Sequence, residues 1–159
     1  PELPLLLSKS TNLFKLFLSD VGLLASMYVD GLQLKILSRE KDINFGAIYE
    51  NVAAQELKAH GFELYYFNSK KQGELDFVIE YKGNVLPLEI KSGKAYTRHN
   101  ALDNVLKEEK YAIPQAFVFC NKNISTQEKI AYLPIYMIGF LEKEKIEEYI
   151  YSIDLSALQ

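Results

Sequence analysis

With 159 residues, 48% of them hydrophobic, and with eleven Tyr and nine Phe, the chain is long and apolar enough to bury the core of one domain, which excludes a disordered or collagen-like polypeptide. A net charge of −3 argues against a uniformly basic surface for nucleic acid. One Cys, Cys120 in AFVFC, excludes an internal disulfide; no charge-free apolar run approaches about eighteen residues and PELPLLLSKS is no signal peptide, so a reducing cytoplasm and no membrane are expected.

The chain opens at Pro1 inside what reads as an amphipathic segment, as a piece of a longer protein would. Residues 1–43 read as an N-terminal arm and helix, the end of a preceding domain, and residues 44–159 as one α/β domain. In NLFKLFLSDVGLLASMYV (12–29), Phe14, Phe17, Val21 and Leu24 mix strand and helical spacing, which predicts a short arm and then a helix. From Asn44 to His60, Phe45, Ile48, Tyr49, Val52 and Leu57 follow a helical period, with Asn44 as N-cap and Gly61 as the stop. Strand-like runs follow at 63–67, 74–81 and 85–91, the last two separated by Lys82-Gly83-Asn84, and together they read as a meander. Residues 98–112 read as a helix, 115–120 as a buried strand, and 129–141 as a strand running into a helix.

Pairing 74–81 with 85–91 through a short turn makes opposed residue numbers sum to 165. Leu75, Phe77, Ile79 and Tyr81 then share an apolar face with Leu86, Leu88 and Ile90. The other face reads as polar, with Asp76 opposite Glu89 and Glu74 opposite Lys91. Opposed carboxylates have Cβ atoms roughly 4.5–5.5 Å apart and repel unless something compensates. A divalent cation, Mg²⁺ or Mn²⁺, would do so, since Mg²⁺ is commonly held by one or two carboxylates plus water and phosphate oxygens. Lys91 would then orient a bound water or stabilise charge on a phosphate. The competing reading is a salt-bridged, solvated sheet face, with Glu74 paired to Lys91. The tripeptide E-x-K by itself decides nothing, because it also starts at Glu56, Glu80 and Glu108; only Glu89-Ile90-Lys91 faces a strand that carries an Asp.

Smaller signals follow the hairpin. KSGKAYTRHN (91–100) holds Lys91, Lys94 and Arg98 with no acid, either a local basic patch or a solvated loop, while the acidic excess lies in residues 101–159. Lys94, Arg98 and His99 are the candidates for contact with a nucleic-acid backbone; His60 and His99 otherwise read as surface residues at helix ends. KSGK lacks the leading Gly and the following Ser or Thr of a phosphate loop, so no ATP site is expected in this chain.

The hairpin GELDFVIEYKGNVLPLEIKSGK resembles the core of the PD-(D/E)xK nuclease superfamily. Together with FGAIYENVAAQELKAHG and NLFKLFLSDVGLL it resembles the C-terminal domain of a family of archaeal and bacterial AAA-type ATPases, over roughly residues 12–140. That resemblance implies a restriction-endonuclease-like α/β core, in the order helix, three-strand meander, helix and strand, preceded by an N-terminal helical arm. It further implies Asp76 and Glu89 as ligands of Mg²⁺ or Mn²⁺, Lys91 as the catalytic lysine, Glu50 as the acid of the first core helix, with Glu56 as the competing inward carboxylate, and Glu74 within the E-L-D-F pattern. A nuclease acting on DNA or RNA, with its ATPase module elsewhere in the full-length chain, is one implied function; a nuclease-fold module that binds nucleic acid or protein without cleaving is the other.

Overall fold

The computed structural model describes residues 5, 14–28, 31–38 and 45–144, with only the backbone at 32 and 36. Asn44, the expected N-cap, and the segment after residue 144 lie outside the described residues.

The sheet has six strands, β1 (Tyr65–Ser69), β2 (Gly73–Tyr81), β3 (Asn84–Lys91), β4 (Ala116–Cys120), β5 (Ser125–Gln127) and β6 (Ile130–Pro134), in the spatial order β1-β2-β3-β4-β6-β5. The first three form the expected antiparallel meander, β3, β4 and β6 run parallel, and β5 pairs antiparallel with β6. Among the described residues four α-helices, α1 (Val21–Ser26), α2 (Leu32–Leu37), α3 (Gly46–Ala59) and α4 (Asn100–Lys107), complete a mixed α/β fold. The α2 helix and the short hydrophilic strand β5 were not expected from the sequence, and residues 135–140 form a 3₁₀ turn rather than an α-helix.

Apolar spacing explains the layering. Ala53, Ala54 and Leu57 of α3 pack with Phe77, Ile79, Leu86, Leu88 and Ile90 on one face of the sheet. On the opposite face Leu102 and Val105 of α4 pack with Leu75, Val78, Val85 and Val118. The sheet is therefore covered on both sides, which corrects the expectation of a polar second face: Val78 and Val85 break the simple alternation and are buried. The α3 helix ends where Gly61 takes a left-handed φ of +79°, with Gly61 N–H donating to Lys58 C=O and Phe62 N–H to Leu57 C=O. That double closure, with Phe62 and Leu57 buried in the same cluster, confirms the expected glycine stop.

The hairpin register also matches expectation where it is paired. Tyr81↔Asn84, Ile79↔Leu86 and Phe77↔Leu88 each sum to 165, and Lys82 and Gly83 close the turn with φ of 50° and 69°. The pairing of β1 with β2 then slips, because Tyr65↔Val78 is followed by Phe67↔Leu75, leaving one extra residue in β2. This bulge moves Leu75 into the α4-side cluster, away from Phe77, with which the alternation had grouped it. Gly73 opens β2 at φ +101°, and a Cβ there would stand 2.9 Å from the Cβ of Ala101, so the strand enters close against the first turn of α4.

Candidate active site

Beyond Phe77 the β2–β3 ladder gives way to side chains. Asp76 Oδ2 accepts the Ile90 N–H at 2.8 Å, so a carboxylate takes the place of a strand carbonyl and ties the two strands together there. Glu89, on β3, is almost wholly buried at 3% exposure and accepts from Lys91 Nζ at 2.6 Å. Burial first, and then the negative charge of Asp76, push the Glu89 carboxyl up to about 7 against the opposing pull of Lys91. Two carboxylates thus share a cramped site, and burial together with the neighbouring charge favours the protonated form of Glu89.

Two further acids converge from neighbouring elements. Glu50 reaches the site from α3; burial, followed by the charge of Asp76, raises its carboxyl above the ordinary range. Glu74 projects from β2 and accepts from Asn68 Nδ2 at 3.3 Å. Its ion-pair partner is Lys15, 2.7 Å away, and not Lys91 as the flat hairpin would give; the pairing of β2 with β3 ends at Phe77↔Leu88, short of both residues. Glu56, the rival inward acid, has its carboxylate beside Gly139 of the 3₁₀ turn, so Glu50 is the helix acid that faces the cluster.

Lys15 is the site residue that the sequence did not single out. It lies in the arm before α1, with Nζ 2.7 Å from Glu74, 3.9 Å from Glu50 and 3.9 Å from Asp76, and it stands over the Tyr66 ring. Desolvation lowers its pKa, but the hydrogen bond to Glu74 and the charges of Asp76 and Glu50 outweigh that and leave it raised, so it is fully cationic at neutral pH. A lone charge inside the apolar run LFKLFL was the available signal.

Glu74, Asp76, Glu89 and Lys91 line one face of an open pocket of about 270 Å³, whose other wall is Arg98, His99, Asn100 and Ala101 at the start of α4. Arg98 is exposed at its edge; Lys94 is exposed in the preceding loop and outside the lining. His99 is not the surface residue expected from its position. It is buried, with Nδ1 3.0 Å from Asp103 and Nε2 2.7 Å from the Tyr132 hydroxyl, so both ring nitrogens are engaged in fixing α4 to β6. His60 likewise turns inward, its Nδ1 2.8 Å from Leu141 C=O.

The donors at the cluster are all carboxylate oxygens, the chemistry that Mg²⁺ and Mn²⁺ select. Among the described residues no group of three or more His, Cys, Asp or Glu is placed to hold a metal ion. A cation here would therefore rest on the Asp76–Glu89 pair, with water or phosphate oxygens completing its shell. No helix among the described residues is long and apolar enough to cross a membrane. A family model described as a domain of unknown function (DUF4143) matches residues 45–138, more than half of the chain. No curated protein and no solved structure matches it.

Proposed function

The chain belongs to the DUF4143 family, a domain found at the C-terminus of AAA-ATPase-like proteins, and we propose that it is a magnesium-dependent phosphodiesterase of nuclease type with a restriction-endonuclease-like core. The observation that supports this reading is convergence: acids from β2 and β3 meet Lys91 at an open pocket with Arg98 on its rim, and Glu50 of α3 lies outside that lining, 3.9 Å from the Lys15 ammonium that pairs with Glu74. Asp76 and Glu89 would hold Mg²⁺ or Mn²⁺, which when bound would polarise a phosphodiester and lower the pKa of water. Lys91, held beside Glu89, would stabilise negative charge on a phosphate. Glu50, its carboxyl raised by burial and by the charge of Asp76, would be the acid available for proton transfer, and Glu74 holds the cation of Lys15 beside it. Arg98 offers a guanidinium to a phosphate oxygen at the pocket edge. The ATPase module belongs, on this reading, to another part of the full-length protein.

A second reading, a nuclease-fold module that binds nucleic acid or protein without cleaving, draws on one observation, that a lysine of the chain itself already sits among the acids. Calorimetric titration of Mg²⁺ and Mn²⁺ into the chain and into an Asp76→Asn/Glu89→Gln double variant, with nuclease assays on the same samples, separates the two. Binding and cleavage that are both lost in the variant support the enzyme. Folded protein that neither binds nor cleaves sinks it and leaves the binding module.

A further inference from the structure

The arm before α1 is fastened to α3 by side chains that imitate a strand partner. Leu18 N–H donates to Asn51 Oδ1 at 2.8 Å, Asn51 Nδ2 donates back to Leu18 C=O at 3.0 Å, and Val21 N–H donates to Gln55 Oε1 at 3.1 Å. Asn51 is 2% exposed, a buried amide whose oxygen and nitrogen both bond to the backbone of the arm. The Phe17 ring adds an apolar contact, 5.3 Å from that of Phe77. Three residues before the Asn51 clamp, Lys15 extends into the acid cluster.

The position of its ammonium group bears directly on cation binding. Asp76 Oδ2 accepts the Ile90 N–H, and its other oxygen, Oδ1, faces Lys15 Nζ at 3.9 Å. A positive charge at that distance opposes a divalent ion at the same oxygen. We infer that Lys15 is a tethered resident cation of this site, and that the arm and a divalent ion compete for the acid cluster, so that entry of the ion withdraws Lys15 and loosens the strap. The inference rests on the reading above that Asp76 and Glu89 hold the ion, and it adds a means of control: whatever draws the arm away from α3 opens the site to metal.

The test is calorimetric titration of Mg²⁺ and Mn²⁺ into the wild-type chain, Lys15→Met and Lys15→Arg, alongside hydrogen exchange of residues 14–20 with and without Mg²⁺. Lys15→Met, which keeps the apolar stem and removes the charge, should bind about tenfold or more tighter than wild type, and Lys15→Arg should stay close to wild type. In the wild-type chain, Mg²⁺ should speed exchange at the Leu18 amide. Binding by Lys15→Met that is equal to or weaker than wild type, or slower exchange in Mg²⁺, overturns the competition while leaving the metal site intact. Binding by neither protein, with both folded, removes the metal site and the competition together. The exchange measurement needs no variant, so a misfolded substitution does not protect the inference.

Discussion

The two ends of the β2–β3 hairpin are made from the same strands and have opposite chemistry. At the turn end the strands pair in unbroken register, with Ile79 and Leu86 buried towards α3 and Val78 and Val85 buried towards α4. At the open end the pairing stops, the bulge twists β2, and Glu74, Asp76, Glu89 and Lys91 gather around a pocket. Like charges brought together repel, and the Ile90–Asp76 bond and the ion pairs of Lys15 and Lys91 oppose that repulsion. The apolar end supplies the rigidity, and because the two share a backbone, its packing offsets the repulsion at the site.

Adjacent residues of β3 should therefore respond with opposite sign. Leu88, fully buried at the last paired position, should lose about 2–5 kcal/mol on replacement by Ala, measured by urea unfolding. Glu89→Gln, one residue on, should instead stabilise the protein by about 1–3 kcal/mol at pH 8. Between the ordinary carboxyl value of 4.5 and the folded value of about 7, the folded protein keeps a proton that the unfolded chain has released. The contribution of Glu89 to stability is then full below the lower value and falls as pH rises through that window. Unfolding free energies measured from pH 4 to 8 should decline across it in wild type and decline less in Glu89→Gln. A variant less stable than wild type at pH 8 would mean that the Lys91 pair outweighs burial, and the contrast between the two ends would fail.

The turn end was legible in the sequence and the open end only in part. Apolar alternation fixes the register, since a slip by one residue would turn Phe77, Ile79, Leu86 and Leu88 away from α3. Asp76, Glu89 and Lys91 could be placed together by extending that register past Phe77, whereas Glu50 came only from the resemblance, with Glu56 as its rival. The bulge left no comparable mark: E-L-D-F alternates well enough to read as regular strand, yet Leu75 and Phe77 lie on opposite faces. Lys15 was missed because its relation to the acids is tertiary, created by the clamp of Asn51 on Leu18, and Asn51 itself reads as one more polar helix residue. His99 was misplaced for a related reason, since its partner Tyr132 lies 33 positions along the chain. The strand β5, three exposed polar residues at the sheet edge, has no apolar pattern to detect.

The smallest effect concerns the residue that joins the two ends. Asp76 has a structural duty through Oδ2, and on the proposed reading a cation-binding one through Oδ1 that can be separated from it. Asp76→Ala leaves the Ile90 N–H, at a buried residue, without its acceptor and should cost about 1–2 kcal/mol in urea unfolding. Asp76→Asn keeps a carbonyl oxygen for that bond while removing the negative charge, so it should unfold within about 0.5 kcal/mol of wild type and still fail to bind Mg²⁺ in calorimetry. If Asn is as destabilising as Ala, the Ile90 bond depends on the charge of the carboxylate, and the open end is held by the same electrostatics that a cation would use. If Asn folds like wild type and loses metal binding, the backbone tie and the binding chemistry reside on different oxygens of one side chain. A loss of cleavage in Asp76→Asn then reports on the site and not on the fold.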